Sequence, residues 1–329
     1  MRRISPQQSR YLDAWRGCAA IAVLIAHIGQ IFIPNASPAW GALGTGAVMV
    51  FFVISGFFIR KSLEKRGDFI AARVNRIAAP FAFALVLTVA LWFIAPLVFI
   101  TGDRSFVVPT TQQAYTLKNV LPTVFLVSWC VGGTIPANEP LWSLAYEVFY
   151  YALVAFRNVR IALLGLIAAS VVNPAVGLLG GVWFAGFWIA KLHSEDRLPS
   201  CPQWPFLVLA TAAAALLFDS SGSTLLWWEL SVGLAFAAHL LWLLKRVPPD
   251  PVHIAKSAEW SYTLYLIHYP LLLFAYGMGF SPLPSAAAVL LLAALIGPRI
   301  ERVKILKLPL VLAPLRGAPA ISSRASPSD

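Results

Sequence analysis

Two ionisable residues interrupt the first long apolar run of the chain. Arg16 and His27 are separated by ten residues that are all small or apolar. In a helix, a spacing of eleven residues returns to within about 20° of the same face and rises by about 16 Å. An ionisable residue at membrane depth costs at least about 2.5–3.5 kcal/mol, so each requires an explanation. We predict that His27 is a catalytic general base and that Arg16 belongs to the same site. The alternative is that Arg16 extends to the membrane surface and His27 bonds a neighbouring helix.

A carboxylate occurs in a later run that reads PLWSLAYEVFYY. Glu147 lies about 10 Å below the outer end of this run, and His27 lies at a similar depth in the first run. A general base is often oriented by a carboxylate, so we predict that Glu147 is catalytic and orients His27. The alternative is a structural glutamate held by tyrosine or tryptophan groups. The aromatic residues Trp142 and Tyr146, together with His268 in the run SYTLYLIHYP, are the predicted substrate-binding residues.

Two arginines follow the second apolar run. Arg73 and Arg76 are three residues apart, so they face the same way on a helix. Two guanidinium groups beside a membrane are well suited to hold phosphate groups. Ser55 and Gly56 lie near the inner end of the second run, where a small residue permits close approach of a ligand to the backbone. We predict that these four residues bind a ligand that bears phosphate groups. Helix packing alone would also explain Gly56.

The composition sets the environment in which these residues work. Apolar residues make up 59% of the 329 residues, charged residues make up 12%, and the mean hydropathy is +0.75. Soluble domains are about 45–50% apolar and about 25% charged, so a soluble enzyme is disfavoured. The net charge is +11, and the lysines and arginines that produce it lie between long apolar runs. This pattern indicates a lipid bilayer and no nucleic-acid partner. Three widely spaced cysteines predict neither a disulfide framework nor a metal site.

Runs long enough to cross a bilayer predict about ten transmembrane helices. They are placed at 13–33, 41–59, 79–100, 140–156, 161–176, 178–192, 204–218, 224–244, 260–279 and 282–297. With the N-terminus inside, the inner segments hold 22 of the 25 lysines and arginines, which predicts that both termini are cytoplasmic. We expect a break at Asn173-Pro174. We also expect residues 121–133 to cover the outer surface of the bundle or to form a re-entrant segment.

The predicted fold class is therefore all-α, a polytopic integral membrane bundle. Residues 1–316 form one transmembrane domain, and residues 317–329 are rich in serine, proline and alanine and form a disordered cytoplasmic tail.

Six motifs occur in an order that resembles the integral-membrane acyltransferase type 3 family, bacterial enzymes that O-acylate polysaccharides and other glycans. The motifs cover most of residues 11–302: YLDAWRG followed by His27, FFVISGFFI, the Arg73 and Arg76 pair, PLWSLAYEVFYY, SYTLYLIHYP and IERV. The family's usual Leu-Arg-Gly is Trp15-Arg16-Gly17 here, which keeps the arginine. The stretch 157–220 carries no match.

The resemblance implies a donor, an acceptor and a location. The donor substrate is acyl-CoA, most often acetyl-CoA, with no permanently bound cofactor and no metal. The acceptor is a hydroxyl of a cell-envelope or exported glycan, and the location is the bacterial inner membrane. It also implies that Arg16, His27, Arg73 and Arg76 are functional positions. The arginines would hold the phosphates of CoA, and His27 would act as a general base or carry the acyl group.

Two other functions fit parts of the pattern. A transporter or flippase of a lipid-linked sugar would use Arg16, His27 and Glu147 as a proton relay, but no internal repeat is visible. A membrane acyltransferase of another family would act on lipids or proteins. Identification of the acylated product separates these possibilities.

Overall fold

The computed structural model describes most of the chain as helices. It describes residues 3–33, 35–64, 68–99, 116–200, 202–203, 205–206, 208–210, 212 and 225–306. Its helices, in chain order, are α1 (Pro6–Phe32), α2 (Ala39–Leu63), α3 (Phe69–Val98), α4 (Leu117–Val124), α5 (Ser128–Val131), α6 (Trp142–Ala155), α7 (Val159–Val172), α8 (Pro174–Ser194), α9 (Leu225–Leu244), α10 (Val252–Ala255), α11 (Ser261–Gly277) and α12 (Pro282–Ile300). Two 3-10 helices, Pro136–Leu141 and Lys256–Glu259, precede α6 and α11.

Six of these helices are long and apolar enough to cross a membrane: α1, α2, α3, α8, α9 and α12. The regular secondary structure of the described residues is thus entirely helical, as predicted. Three further predicted spans correspond to the shorter helices α6, α7 and α11. The predicted span 204–218 and the predicted tail 317–329 lie largely or wholly outside the described residues.

The helix boundaries follow local signals that the apolar runs alone do not contain. Helix α1 begins seven residues before the predicted span because Ser5 and Gln8 form a reciprocal capping box. The break between α7 and α8 falls at Asn173-Pro174, as expected, since Asn173 caps α8 and Pro174 occupies its first position. The predicted boundary at 176–178 is therefore about one helical turn late. The segment 121–133 forms the two short helices α4 and α5, with no long helix.

Helix α2 is the central helix of the bundle. In its apolar 18-residue stretch, 72% of the residues are buried, against 22% in the corresponding stretches of α3 and α12. It crosses α8 at two glycines. A Cβ at Gly56 would lie 2.0 Å from the carbonyl oxygen of Trp183, and a Cβ at Gly186 would lie 2.0 Å from that of Val53. The two backbones therefore touch, which is the packing use of small residues in membrane helices.

This crossing gives a stability prediction with a matched control. Gly56→Ala is expected to lower the free energy of unfolding by about 2 kcal/mol or more, because the added methyl must separate two backbones. Gly181→Ala is the control, since a Cβ there meets no atom within 4 Å. It should leave stability unchanged or raise it slightly, as alanine is the better helix former. Thermal unfolding in detergent measures both, and equal melting temperatures would contradict the packing account.

The chain reaches α6 from inside the bundle and not from its outer surface. Asn138, in the preceding 3-10 helix, is fully buried. Its Nδ2 donates to the hydroxyl of Thr88 at 3.1 Å and to the carbonyl of Leu266 at 2.9 Å, near the middle of α11. Helix α6 therefore starts at mid-depth, and Glu147 lies deeper than its distance from the expected outer end suggests.

A carboxylate just after α12 fixes the start of α11. Oε1 of Glu301 accepts hydrogen bonds from the backbone N–H of Thr263 at 2.9 Å and from its hydroxyl at 3.0 Å. Burial raises the pKa of this carboxyl, and the two hydrogen bonds act in the opposite direction. The contact satisfies an N–H of the first turn of α11 and holds the neighbouring Tyr262 in place.

Candidate functional site

The first three long helices bring the predicted phosphate-binding residues together. Arg16 lies near the start of α1, Ser55 near the end of α2 and Arg73 near the start of α3, so alternating helix directions place all three at one end of the bundle. They line a pocket of about 800 Å³, which we call the arginine pocket. Five predicted site residues line it: Arg16, Ser55, Arg73, Arg76 and Glu147.

Local contacts hold Arg16 and Arg73, and Asp13 compensates the charge of Arg16. Nη1 of Arg16 lies 3.1 Å from a carboxylate oxygen of Asp13, and its guanidinium lies 4.6 Å from the centre of the Phe58 ring. The guanidinium of Arg73 lies 5.9 Å from the centre of the Phe69 ring. Three cations thus line a pocket to which Glu147 contributes the one carboxylate among its lining residues. Such a pocket favours a ligand with several negative charges.

Glu147 is held by a chain of hydrogen bonds whose directions can be assigned. The Tyr151 hydroxyl donates to Glu147 in a short hydrogen bond. Because that proton is used, the Ser55 hydroxyl, 3.0 Å away, donates to the Tyr151 oxygen. The indole N–H of Trp183 donates in turn to Ser55 at 3.2 Å. Each donor in the chain is therefore occupied, and Glu147 is fixed as an acceptor on the pocket wall.

Two buried polar atoms of the pocket lining have no hydrogen-bond partner in the described part of the chain. They are Nε of Arg73 and the hydroxyl of Tyr262. A buried donor without a partner costs about 1–3 kcal/mol, and most native groups are satisfied. Donors left open in a cationic pocket can donate hydrogen bonds to the oxygens of a bound anion. The pocket can therefore bind phosphate groups, as Arg73 and Arg76 were predicted to do.

His27 lies in a different environment from the arginine pocket. It is half-buried, and its ring neighbours are His268, with ring centroids 5.1 Å apart, and Tyr269, with centroids 4.9 Å apart. The prediction that Glu147 orients His27 is not supported, because Glu147 lies in the arginine pocket and pairs with Tyr151. Glu147 was expected at the depth of His27 on a count from the bundle surface, but α6 starts inside the bundle, close to Asn138.

His268 is buried, and its hydrogen-bond partners show which ring nitrogen carries the proton. Its Nδ1 lies 2.8 Å from the carbonyl oxygen of Tyr265 and 3.1 Å from that of Leu264. Both neighbours are acceptors, so Nδ1 carries the proton and Nε2 carries a lone pair. Nε2 of His268 and Nδ1 of His27 both lack a partner in the described ranges. This buried position suits His268 to act on His27 more than to contact a large substrate directly.

Tyr265 lies between the arginine pocket and the two histidines. Its hydroxyl donates to the carbonyl of Pro140 at 2.8 Å and accepts from the Ser143 hydroxyl at 2.6 Å. Tyr265 and Ser143 line the pocket, and the ring centroids of Tyr265 and His268 are 5.9 Å apart. The pocket therefore leads from the arginines towards the histidines without including them.

Three predicted site residues lie outside this arrangement. Gly56 does not line the pocket, and its contact with α8 explains it by packing. Trp142 and Tyr146 pack against each other with ring centroids 5.4 Å apart. The Tyr146 hydroxyl accepts from Nδ2 of Asn173 at 2.8 Å, which joins α6 to the start of α8.

Sequence reasoning missed two tyrosines that line the pocket, Tyr151 and Tyr262. Both lie in the quoted motifs, but each motif contains several tyrosines. Neither the motif order nor the helical spacing identifies which of them faces the arginines. The signal that was available is the four-residue spacing of Glu147 and Tyr151, which places them on one helix face.

One of three comparisons with known proteins gives a match. The model of the acyltransferase 3 family, described as an acyltransferase domain, matches residues 9–298. The match includes every residue that lines the arginine pocket, and also His27 and His268. No curated protein and no solved structure matches the chain.

Proposed function

The chain belongs to the acyltransferase 3 family, and from this premise we propose that it transfers an acyl group from acyl-CoA to a hydroxyl of a glycan. Acetyl-CoA is the proposed donor, and the proposed acceptor is a cell-envelope or exported glycan of a bacterium. The protein is a membrane acyltransferase with several apolar helices that can cross a bilayer. The proposed location is the inner membrane, with the arginine pocket open to the cytoplasm.

The observation that carries the proposal is the arginine pocket. CoA bears a pyrophosphate and a further phosphate, and planar guanidinium groups bind phosphate oxygens in pairs. Arg16, Arg73 and Arg76 provide three such groups from two helices. The unpartnered Nε of Arg73 and hydroxyl of Tyr262 are further donors for the same ligand. The pantetheine arm would extend towards Tyr265 and bring the thioester close to the histidines.

The proposed chemistry uses His27 as the base. His27 accepts the proton of the acceptor hydroxyl while that oxygen attacks the thioester carbonyl carbon. The C–O bond forms, the C–S bond breaks, and the thiolate of CoA takes the proton from the imidazolium. A route in which His27 first carries the acyl group gives the same products. His268 is the proposed positioning residue, since its Nε2 lone pair is free and its ring packs against His27.

Tyr262→Phe should weaken acetyl-CoA binding without lowering the stability of the protein. In the apoprotein this hydroxyl is buried and unpartnered, so its removal should leave the melting temperature unchanged or higher. Acetyl-CoA binding should weaken by about 1 kcal/mol, or roughly fivefold in Kd. Tyr265→Phe is the matched control, because its hydroxyl bonds Pro140 and Ser143. That variant should lower the free energy of unfolding by about 1–3 kcal/mol. Unchanged acetyl-CoA binding by Tyr262→Phe would contradict its proposed contact with the donor.

An assay for donor consumption tests the proposed function against transport. Purified protein in nanodiscs is mixed with acetyl-CoA and a crude cell-envelope glycan extract, and free CoA is measured with time. The proposal predicts extract-dependent release of CoA. A flippase would instead move protons in liposomes without consuming acetyl-CoA. Its relay would need Arg16, His27 and Glu147 together, but Glu147 lies with Tyr151, apart from His27.

A further inference from the structure

A second groove lies between α7 and α8, and we call it the α7–α8 groove. It is more spacious than the arginine pocket, and the two share no lining residue. Its walls are mainly apolar and include Leu163, Leu166, Phe184 and Trp188. Leu163 and Trp188 are each 54% exposed, as expected for side chains that face lipid in a membrane protein.

Two glycines of α8, Gly177 and Gly181, line this groove. Near that turn, a Cβ at Gly177 would lie 2.3 Å from the hydroxyl of Ser170, so the two helices touch. One helical turn further, a Cβ at Gly181 would meet no atom within 4 Å. Gly181 therefore forms part of the floor of an open space.

Positive charge is concentrated at one end of the groove, where Arg60, Arg157 and Lys191 lie. Arg60 is paired with Glu64 at 3.3 Å. The ammonium of Lys191 lies 4.4 Å from the centre of the Trp188 ring, and Nη2 of Arg157 donates to the carbonyl of Leu63 at 3.4 Å. Across the described ranges, neither Lys191 nor Arg157 pairs with a carboxylate. Two uncompensated cations thus mark one end of an apolar groove.

The part of the groove between Gly181 and Lys191 spans about one leaflet of a bilayer. Gly181 and Lys191 are ten residues apart on α8, a rise of about 15 Å. This equals half of a hydrocarbon core of about 30 Å. We infer that the α7–α8 groove binds an anionic phospholipid, with an acyl chain along Gly181 and the headgroup phosphate between Arg157 and Lys191. Basic pockets between membrane helices are suited to such headgroups, and the charges are complementary.

Lipid retention tests this site directly. The full-length protein is exchanged into micelles that contain equal amounts of phosphatidylglycerol and phosphatidylcholine, and retained lipids are counted by native mass spectrometry. Wild type should retain phosphatidylglycerol in preference. The double variant Arg157→Gln/Lys191→Gln should retain about thirtyfold less, since each cation near the membrane surface contributes about fivefold. Gly181→Leu adds a side chain to the groove at a position where a Cβ meets no atom within 4 Å, and it should reduce retention of both lipids.

A second double variant controls for loss of charge. Lys245→Gln/Arg299→Gln removes the same charge from the ends of α9 and α12, outside the groove, and should retain lipid as wild type does. Unfolding temperatures show that each variant is folded. Equal retention of the two lipids by wild type would overturn the inference. So would undiminished retention in the groove double variant. Retention that survives Gly181→Leu would overturn the placement of the acyl chain.

Discussion

Replacement of His27 by alanine is expected to lower the rate of acyl transfer by about a hundredfold to ten-thousandfold, the contribution usual for a general base. No other side chain is assigned to remove the proton from the acceptor hydroxyl. Acetyl-CoA binding should be unchanged, because His27 does not line the arginine pocket. Radiolabelled acetyl-CoA measures both quantities, as bound label and as label transferred to a cell-envelope glycan extract.

An exposed histidine that does not line the arginine pocket is the control for this experiment. His253 lies in the exposed helix α10, and His253→Ala should transfer the acyl group at the wild-type rate. His27→Gln should be as inactive as His27→Ala, because an amide does not act as a base near neutral pH. A His27→Ala protein that transfers label at the wild-type rate would remove His27 from the chemistry.

Arg73→Gln is expected to weaken acetyl-CoA binding by about tenfold to a hundredfold. A hydrogen bond from a charged donor contributes about 1.5–3 kcal/mol, and the Nε of Arg73 has no competing partner among the described residues. The binding constant should also become less sensitive to salt, because one cation has been removed from the contact. Equilibrium binding of radiolabelled acetyl-CoA at two salt concentrations measures both changes.

The lysine variant separates charge from shape at the same position. Arg73→Lys keeps the positive charge but loses the planar pair of donors, so its Kd should lie between those of wild type and Arg73→Gln. Arg197→Gln is the control, since Arg197 is 73% exposed and pairs only with Glu195. If Arg73→Gln binds acetyl-CoA with the wild-type Kd at low salt, Arg73 does not contact the donor.

The sequence contained most of the information needed to predict the arginine pocket. Arg16 is an ionisable residue in an apolar run, and Arg73 and Arg76 share a helix face close to a membrane end. Consecutive antiparallel helices must bring such residues to the same end, whatever the details of packing. The prediction of an all-helical membrane bundle rests on an equally simple requirement, since backbone groups in lipid must be satisfied within helices.

The orientation of His27 could not be predicted in the same way. The depth of Glu147 was counted from an expected surface end of its helix, and the buried 3-10 helix at Pro136–Leu141 moves that end into the bundle. Gly56 had two possible uses, and only the position of α8 decides for packing. His268 is one of several polar residues in its run, and its contact with His27 depends on the rotation of α11 against α1.

The most direct experiment tests whether acetyl-CoA enters at one end of the bundle while the glycan is acylated from the other end. The protein is reconstituted into sealed liposomes that contain the glycan extract, and radiolabelled acetyl-CoA is added only to the outside. The account predicts that label appears on the trapped glycan, through the molecules whose arginine pocket faces outward, and that Arg73→Gln reduces it. If label is transferred only when donor and glycan are on the same side of the membrane, the proposed path from the arginine pocket to His27 is wrong.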